Sequence, residues 1–97
     1  FRYGGRDKDM TMPRIDIYTK FLCPYCARAK ALLARKSVEF NEIDVTMDSA
    51  GFAAMVDRAG GRRTVPQIFI NDTHVGGSDD LHALDAAGGL DPLLART

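Results

Sequence analysis

The chain has 97 residues, and its 13 Lys and Arg against 13 Asp and Glu leave a formal net charge of zero. That length supports one hydrophobic core and not two, and the balanced charge argues against a general attraction to nucleic acid or anionic membrane. The apolar fraction of 45% is ordinary for a globular protein. No apolar run approaches membrane-spanning length and no hydrophobic signal region opens the chain, so a reducing, cytoplasmic setting without membrane association is expected.

Residues 1–11 show no hydrophobic periodicity and do not begin with Met; they read as a cloning remnant or disordered extension, with a single domain over 12–97 starting at Met12. Arg14-Ile15-Asp16-Ile17-Tyr18 alternates and is rich in β-formers, which predicts a strand. Thr19-Lys20-Phe21-Leu22 leads from it into Cys23-Pro24-Tyr25-Cys26, which holds the only two cysteines. Pro24 suits the first position of a helix, where its missing N–H costs nothing. The run from Arg28 to Lys36 is built of strong helix formers. Cys23 is therefore placed at the helix N-cap and Cys26 inside the first turn.

A helix N-terminus has unpaired N–H groups and a partial positive charge, and both stabilise an anion. A thiolate at Cys23 can accept those N–H groups as a capping carboxylate would, and Lys20 adds a nearby cation. Such surroundings lower a cysteine pKa from about 8.5 to roughly 3.5–7.5. Cys26, one turn away, can close a small disulfide with Cys23 and expel whatever Cys23 has bonded to. A structural disulfide, half of a zinc site with His74 and His82, and a pair of inert buried thiols are the competing readings of the motif alone.

Val38 to Val45 reads as a second strand whose apolar phase slips: Val38 and Phe40 share one parity, Ile43 and Val45 the other. A bulge or an early end near Glu42 would account for it. Strand, helix and strand in this order predict a right-handed parallel βαβ unit. Asp48 or Ser49 caps the next helix, in which Phe52, Met55, Val56 and Ala59 form a core stripe ended by Gly60-Gly61. Gln67–Ile70, Asn71-Asp72 and Thr73–Val75 form a hairpin. After Gly76-Gly77, Ser78 or Asp79 caps a helix carrying Leu81 and Leu84, and Leu90, Leu93 and Leu94 pack a short last segment onto the domain.

The order βαβ-α-ββα with a CxxC opening the first helix resembles the thioredoxin fold, an α/β architecture with a central four-stranded mixed sheet flanked by helices. The closer resemblance is to dithiol glutaredoxins, across Pro13 to Leu94. It rests on Tyr18-Thr19-Lys20 with Cys23-Pro24-Tyr25-Cys26, on Thr64-Val65-Pro66-Gln67, on Gly76-Gly77-Ser78-Asp79-Asp80, and on Leu84-Asp85-Ala86 with Gly88-Gly89-Leu90. Thioredoxins resemble the chain less well, because their active site has Gly-Pro between the cysteines and a Trp before them, and this chain has no Trp.

The resemblance implies a glutathione-dependent thiol–disulfide oxidoreductase with Cys23 as nucleophile and Cys26 as resolving thiol. It implies a cis bond before Pro66 and a glutathione site formed by Lys20, Tyr25, Thr64, Val65, Pro66, Gly77, Ser78 and Asp79. In that site the Val65 backbone pairs with the tripeptide, and Ser78 and Asp79 take its γ-glutamyl end. Lys20 is the first candidate for the glycine carboxylate, with Arg62 and Arg63 next. Many relatives have Cys where Ser78 stands, so a third thiol is not expected. His74 and His82 have no motif-based role and are expected in surface or turn positions. No tightly bound cofactor or metal is implied: glutathione is the co-substrate, and the partners are glutathionylated or disulfide-containing proteins, with glutathione reductase acting indirectly and the protein working as a monomer. The alternatives are an iron–sulfur scaffold formed by Cys23 and glutathione, against which Pro24 argues, and a hydrogen donor coupled to thioredoxin reductase.

Overall fold

A computed structural model describes residues 13–95, so the expectations for residues 1–11 and for Met12 lie outside the described residues. The chain runs β1 (Ile15–Thr19), α1 (Pro24–Arg35), β2 (Asn41–Asp44), α2 (Ser49–Arg58), β3 (Gln67–Ile70), β4 (Thr73–Gly76), α3 (Ser78–Ala86) and α4 (Leu90–Leu94). The four strands form one mixed sheet in the order β2-β1-β3-β4. β1 pairs parallel with β2 and antiparallel with β3, and β3 pairs antiparallel with β4. This is the thioredoxin-type architecture expected from the element order.

Central β1 is buried along its whole length because helices cover both sheet faces. Ile15, Ile17, Ile68 and Ile70 pack with Ala29, Leu32 and Leu33 of α1, Leu81 of α3, and Leu90 and Leu94 of α4. Side chains of the other parity, Tyr18 and Phe69, pack with Val45, with Met55 of α2 and with its C-cap Ala59. Two cores on opposite faces explain the phase change before and within β2. Val38 and Phe40 lean on the first core, while Ile43 and Val45 serve the second. Simple alternation along an extended chain achieves this, so neither the expected bulge nor an early end near Glu42 is present. The strand instead starts later than expected, at Asn41, and runs in unbroken register from Asp16↔Asn41 to Thr19↔Asp44. The irregularity in the sheet falls elsewhere, between Ile68 and Phe69 opposite β4.

Asp48 caps α2 by accepting the Gly51 N–H at 2.9 Å. Its expected core stripe is only half realised: Met55 and Ala59 are buried, while Phe52 and Val56 lie at the rim. Asn71 and Asp72 both adopt positive φ, 50° and 68°, as a two-residue turn matching the strand twist requires. On the α2 face a buried carboxylate is neutralised by design of the sequence: Asp16 accepts from Arg58 Nη1 at 3.0 Å and from Asn41 Nδ2 at 3.4 Å. The Arg58 guanidinium lies 4.1 Å from the Phe69 ring centroid and also donates to Asp72 at 3.2 Å.

Candidate active site

Three loops meet at one end of the sheet, and the strand pairing explains why. Tyr18 near the end of β1 pairs with Gln67 at the start of β3, and Ile68 pairs with Gly76 at the end of β4. The antiparallel register thus gathers the segment after β1, the segment before β3 and the segment after β4, which are far apart in sequence.

Cys23 is the N-cap of α1, with Pro24 in the first helical position. Its Sγ accepts the Cys26 N–H at 3.1 Å, the interaction through which a helix end stabilises a sulfur anion. The two cysteines form a disulfide with Cα atoms 5.2 Å apart, within the ordinary range for a disulfide. Their surroundings differ. Cys23 is half-buried and reachable, whereas Cys26 is only 2% exposed among core side chains.

The Val65–Pro66 peptide bond is cis, and the Val65 carbonyl oxygen lies 3.9 Å from Cys23 Sγ. Beside it opens a cleft of about 240 Å³ lined by Tyr25, Arg62, Thr64, Val65, Pro66, Gly77, Ser78, Asp79 and Asp80. Seven of the residues singled out from sequence therefore share one wall system with Arg62. Lys20 and Arg63 do not line this cleft. Both converge on the Phe52 ring of α2, with Lys20 Nζ 4.5 Å and the Arg63 guanidinium 5.2 Å from its centroid.

The N-cap of α3 is Gly77, one residue earlier than Ser78 or Asp79. Those two are therefore the first helical residues, whose N–H groups have no acceptor within the helix. Asp80 replaces the missing capping side chain: its Oδ2 accepts the Gly77 N–H at 2.8 Å and pairs with Arg62 Nη1 at 3.0 Å. Gly76 adopts φ 116°, and a side chain there would run into the Asp80 carboxylate and the Arg62 guanidinium. Gln67, fully buried, donates Nε2 to the Thr64 carbonyl at 3.0 Å and to its hydroxyl at 3.2 Å. It also meets His74 Nε2 at 2.7 Å through its amide oxygen. Asp80 and Gln67 belong to the quoted motifs but carry no role in the sequence reading; their hydrogen bonds give them one. An acidic residue three places after a cap was the available signal for Asp80, and a lone amide in the apolar run Gln67–Ile70 was that for Gln67.

His74 lies in β4, stacked on Phe69 with ring centroids 4.8 Å apart. His82 lies within α3 and donates to the Ser78 carbonyl at 2.8 Å. His74 is thus a surface residue as expected, on a strand rather than in a turn, while His82 is half-buried in its helix. Among the described residues no group of three or more His, Cys, Asp or Glu side chains is placed to hold a metal ion, and none of the described helices is long and apolar enough to cross a membrane.

The Gly77 N–H and then the Arg62 guanidinium hold the Asp80 carboxyl below its usual pKa. A carboxylate with a depressed folded pKa stabilises the fold fully above its unfolded value, near pH 3.9, and this support is lost as pH falls through the folded value. Asp80→Asn is therefore expected to flatten the acid limb of the Tm-against-pH curve below about pH 4, read by circular dichroism melts. An unchanged acid limb would place the pH dependence in other carboxylates.

A reachable, half-buried sulfur capping a helix N-terminus, disulfide-bonded to a buried one beside a cis-proline loop, defines a thiol–disulfide oxidoreductase of the thioredoxin fold. The family model described as Glutaredoxin matches residues 15–75. Glutaredoxin 3 of Escherichia coli strain K12 is 58% identical over 83 residues, covering 86% of this chain and 99% of that protein. The solution structure of glutaredoxin from Brucella melitensis superposes with TM-score 0.77 at 58% identity, over 88% of this chain and 91% of that one. A buckwheat glutaredoxin–glutathione complex superposes with TM-score 0.77 at 28% identity, over 95% and 90%. The chain belongs to the glutaredoxin family.

Proposed function

We propose that this chain reduces glutathione mixed disulfides and protein disulfides in a reducing, cytoplasmic setting, working as a monomer with glutathione as co-substrate and no tightly bound cofactor. The observation that carries the assignment of roles is the unequal exposure of the two sulfurs. Only Cys23 can meet an incoming disulfide, and only Cys26 is held against it from within.

The Cys23 thiolate attacks the glutathione-side sulfur of a mixed disulfide. That S–S bond breaks, the substrate thiolate leaves and takes a proton, and Cys23 becomes glutathionylated. A second glutathione thiolate attacks the glutathione sulfur, freeing the Cys23 thiolate and forming glutathione disulfide, which glutathione reductase recycles. With a protein disulfide, Cys23 first forms a mixed disulfide with the protein. Cys26 then attacks Cys23, releases the second substrate thiol and leaves the Cys23–Cys26 disulfide, which two glutathiones reduce. A well-stabilised Cys23 thiolate is also the better leaving group in each second half-reaction.

The cleft suits an extended tripeptide. The Val65 backbone offers strand-like pairing next to Cys23, and Tyr25 lines the same cleft as an apolar wall for the tripeptide. Thr64, positioned by Gln67, and Pro66 form the floor. At one end the N–H groups of Ser78 and Asp79 beside Gly77 suit a carboxylate, and the Asp79 side chain an ammonium. Lys20 and Arg63, which meet on Phe52 outside the cleft, are the cations assigned to the glycine carboxylate where the tripeptide extends beyond it. Arg62, already paired with Asp80, serves the wall of the cleft instead.

The test is NADPH oxidation coupled through glutathione reductase, with the mixed disulfide of glutathione and mercaptoethanol as substrate. Asp79→Ala is expected to raise KM for that substrate 10- to 100-fold, the loss of one charged hydrogen bond, with the maximal rate little changed. An unchanged KM would remove the γ-glutamyl end from this cleft.

A further inference from the structure

Among the described residues, the exposed large apolar side chains are Phe21 at 72%, Leu22 at 83%, Tyr25 at 55% and Met47 at 95% exposure. Three of them lie within two residues of Cys23. The fourth is brought alongside by the Phe21 N–H, which donates to Thr46 Oγ1 at 2.7 Å. Phe21 and Met47 face a shared groove whose remaining walls are Asp44, Thr46 and Asp48. Leu22 has φ 55°, in the left-handed region that costs a non-glycine residue about 1–2 kcal/mol. A branched side chain is therefore kept in a strained turn while contributing nothing to the core.

The groove has a sign as well as an apolar floor. Asp44 accepts the nearby Thr46 N–H at 2.8 Å and is also held by the Thr46 side chain, and Asp48 is the N-cap of α2. Lys30 on the adjoining helix pairs directly with Glu42 at 3.0 Å and acts on Asp44 only as the weakest influence holding its pKa down. Lys20 turns the other way, onto Phe52. A substrate polypeptide whose reacting disulfide reaches Cys23 meets this ledge when it runs toward the Phe21 side of the nucleophile. An extended chain advances roughly 3.3–3.6 Å per residue, so on that course side chains about two to four residues from the reacting cysteine lie over Phe21, Met47 and the two carboxylates.

Resting on the proposed function, we propose that Phe21, Leu22 and Met47 with Asp44 and Asp48 form a docking ledge for protein substrates whose reactive cysteine is flanked by an apolar residue and by Lys or Arg. The ledge is continuous with the nucleophile yet separate from the glutathione cleft, so it selects among polypeptides without affecting small mixed disulfides. Its charge component weakens with ionic strength.

The test uses three synthetic glutathionylated peptides, with Lys-Leu-Lys, Glu-Leu-Glu or Lys-Ser-Lys on each side of the cysteine, alongside the glutathione–mercaptoethanol disulfide. The unaltered protein is expected to show a KM for the Lys-Leu-Lys peptide about tenfold below the other two, narrowing at high salt. Met47→Ser with Asp44→Asn is expected to erase that difference and leave turnover of the small disulfide unchanged. Binding is read independently of turnover by fluorescence polarisation of labelled peptides with Ser in place of the cysteine, so an inactive protein would sink the proposed function without deciding this one. Equal KM and equal polarisation for the three peptides overturn the proposal. So does sedimentation showing that Met47→Ser abolishes a dimer while peptide discrimination is absent, because the ledge then serves a second copy of the chain.

Discussion

Cys23→Ser is expected to lower turnover of glutathione mixed disulfides by a factor on the order of a thousand or more, whereas Cys26→Ser is expected to stay within a few-fold of the unaltered protein. The serine hydroxyl keeps the N-cap geometry, because an oxygen accepts the Cys26 N–H as readily as sulfur does. It cannot become a good nucleophile toward sulfur or leave from a disulfide. Cys26→Ser, by contrast, removes only the buried partner, which the glutathione route does not use. Reduction of a protein disulfide should separate the two variants differently, since there the intermediate must be resolved from within: both substitutions abolish it. The coupled NADPH assay with a small mixed disulfide, run beside a protein-disulfide assay, reads all four outcomes. Equal loss from both substitutions on the small substrate would count against the assignment of Cys23 as sole nucleophile. Melting curves of each variant show whether a loss comes from chemistry or from unfolding.

Phe69→Ala should produce the largest loss of stability. The side chain is 1% exposed in the middle of the sheet, packed edge-on against Tyr18 with centroids 5.8 Å apart and stacked on His74. Truncating a buried Phe costs about 3–5 kcal/mol, because transfer and cavity terms add. For a domain of this size that lowers Tm by roughly 15–30 °C. The site makes collapse of the cavity difficult, since the Arg58 guanidinium rests on the ring while neutralising buried Asp16. Phe69→Leu keeps most of the apolar volume and should cost under about 1.5 kcal/mol. Urea and thermal denaturation of both variants measure the difference. A cost for Phe69→Ala below about 1 kcal/mol would mean that the α2 face contributes little to cooperative stability.

Much of the site was legible before any coordinates. Cys23 at an N-cap follows from Pro24 and the helix formers behind it, which are local preferences that tertiary packing did not override. The hairpin follows from Asn71-Asp72 between two β-rich runs. Apart from the α3 cap, which Asp80 supplies from within its own helix, the differences share one cause: a side chain's partner lies on another element. The parity change from Phe40 to Ile43 looks like an irregularity until both faces of the sheet are known to be covered. Phe52 fits a helical core stripe, yet its ring stays at the rim, where Lys20 and Arg63 meet it. Arg62 and Arg63 are indistinguishable in sequence. They diverge because only Arg62 reaches Asp80.

The sequence by itself determined the class of chemistry and the elements that carry it: a nucleophilic sulfur at a helix start, a resolving sulfur one turn on, and the strand and helix order. Each depends on neighbours within a few residues, so propensity and spacing suffice. Only the tertiary structure decided which sulfur is exposed, which arginine lines the cleft and which loops share it. Those depend on the register of β1, β3 and β4, because antiparallel pairing sets the segments before Cys23, before Pro66 and after Gly76 side by side.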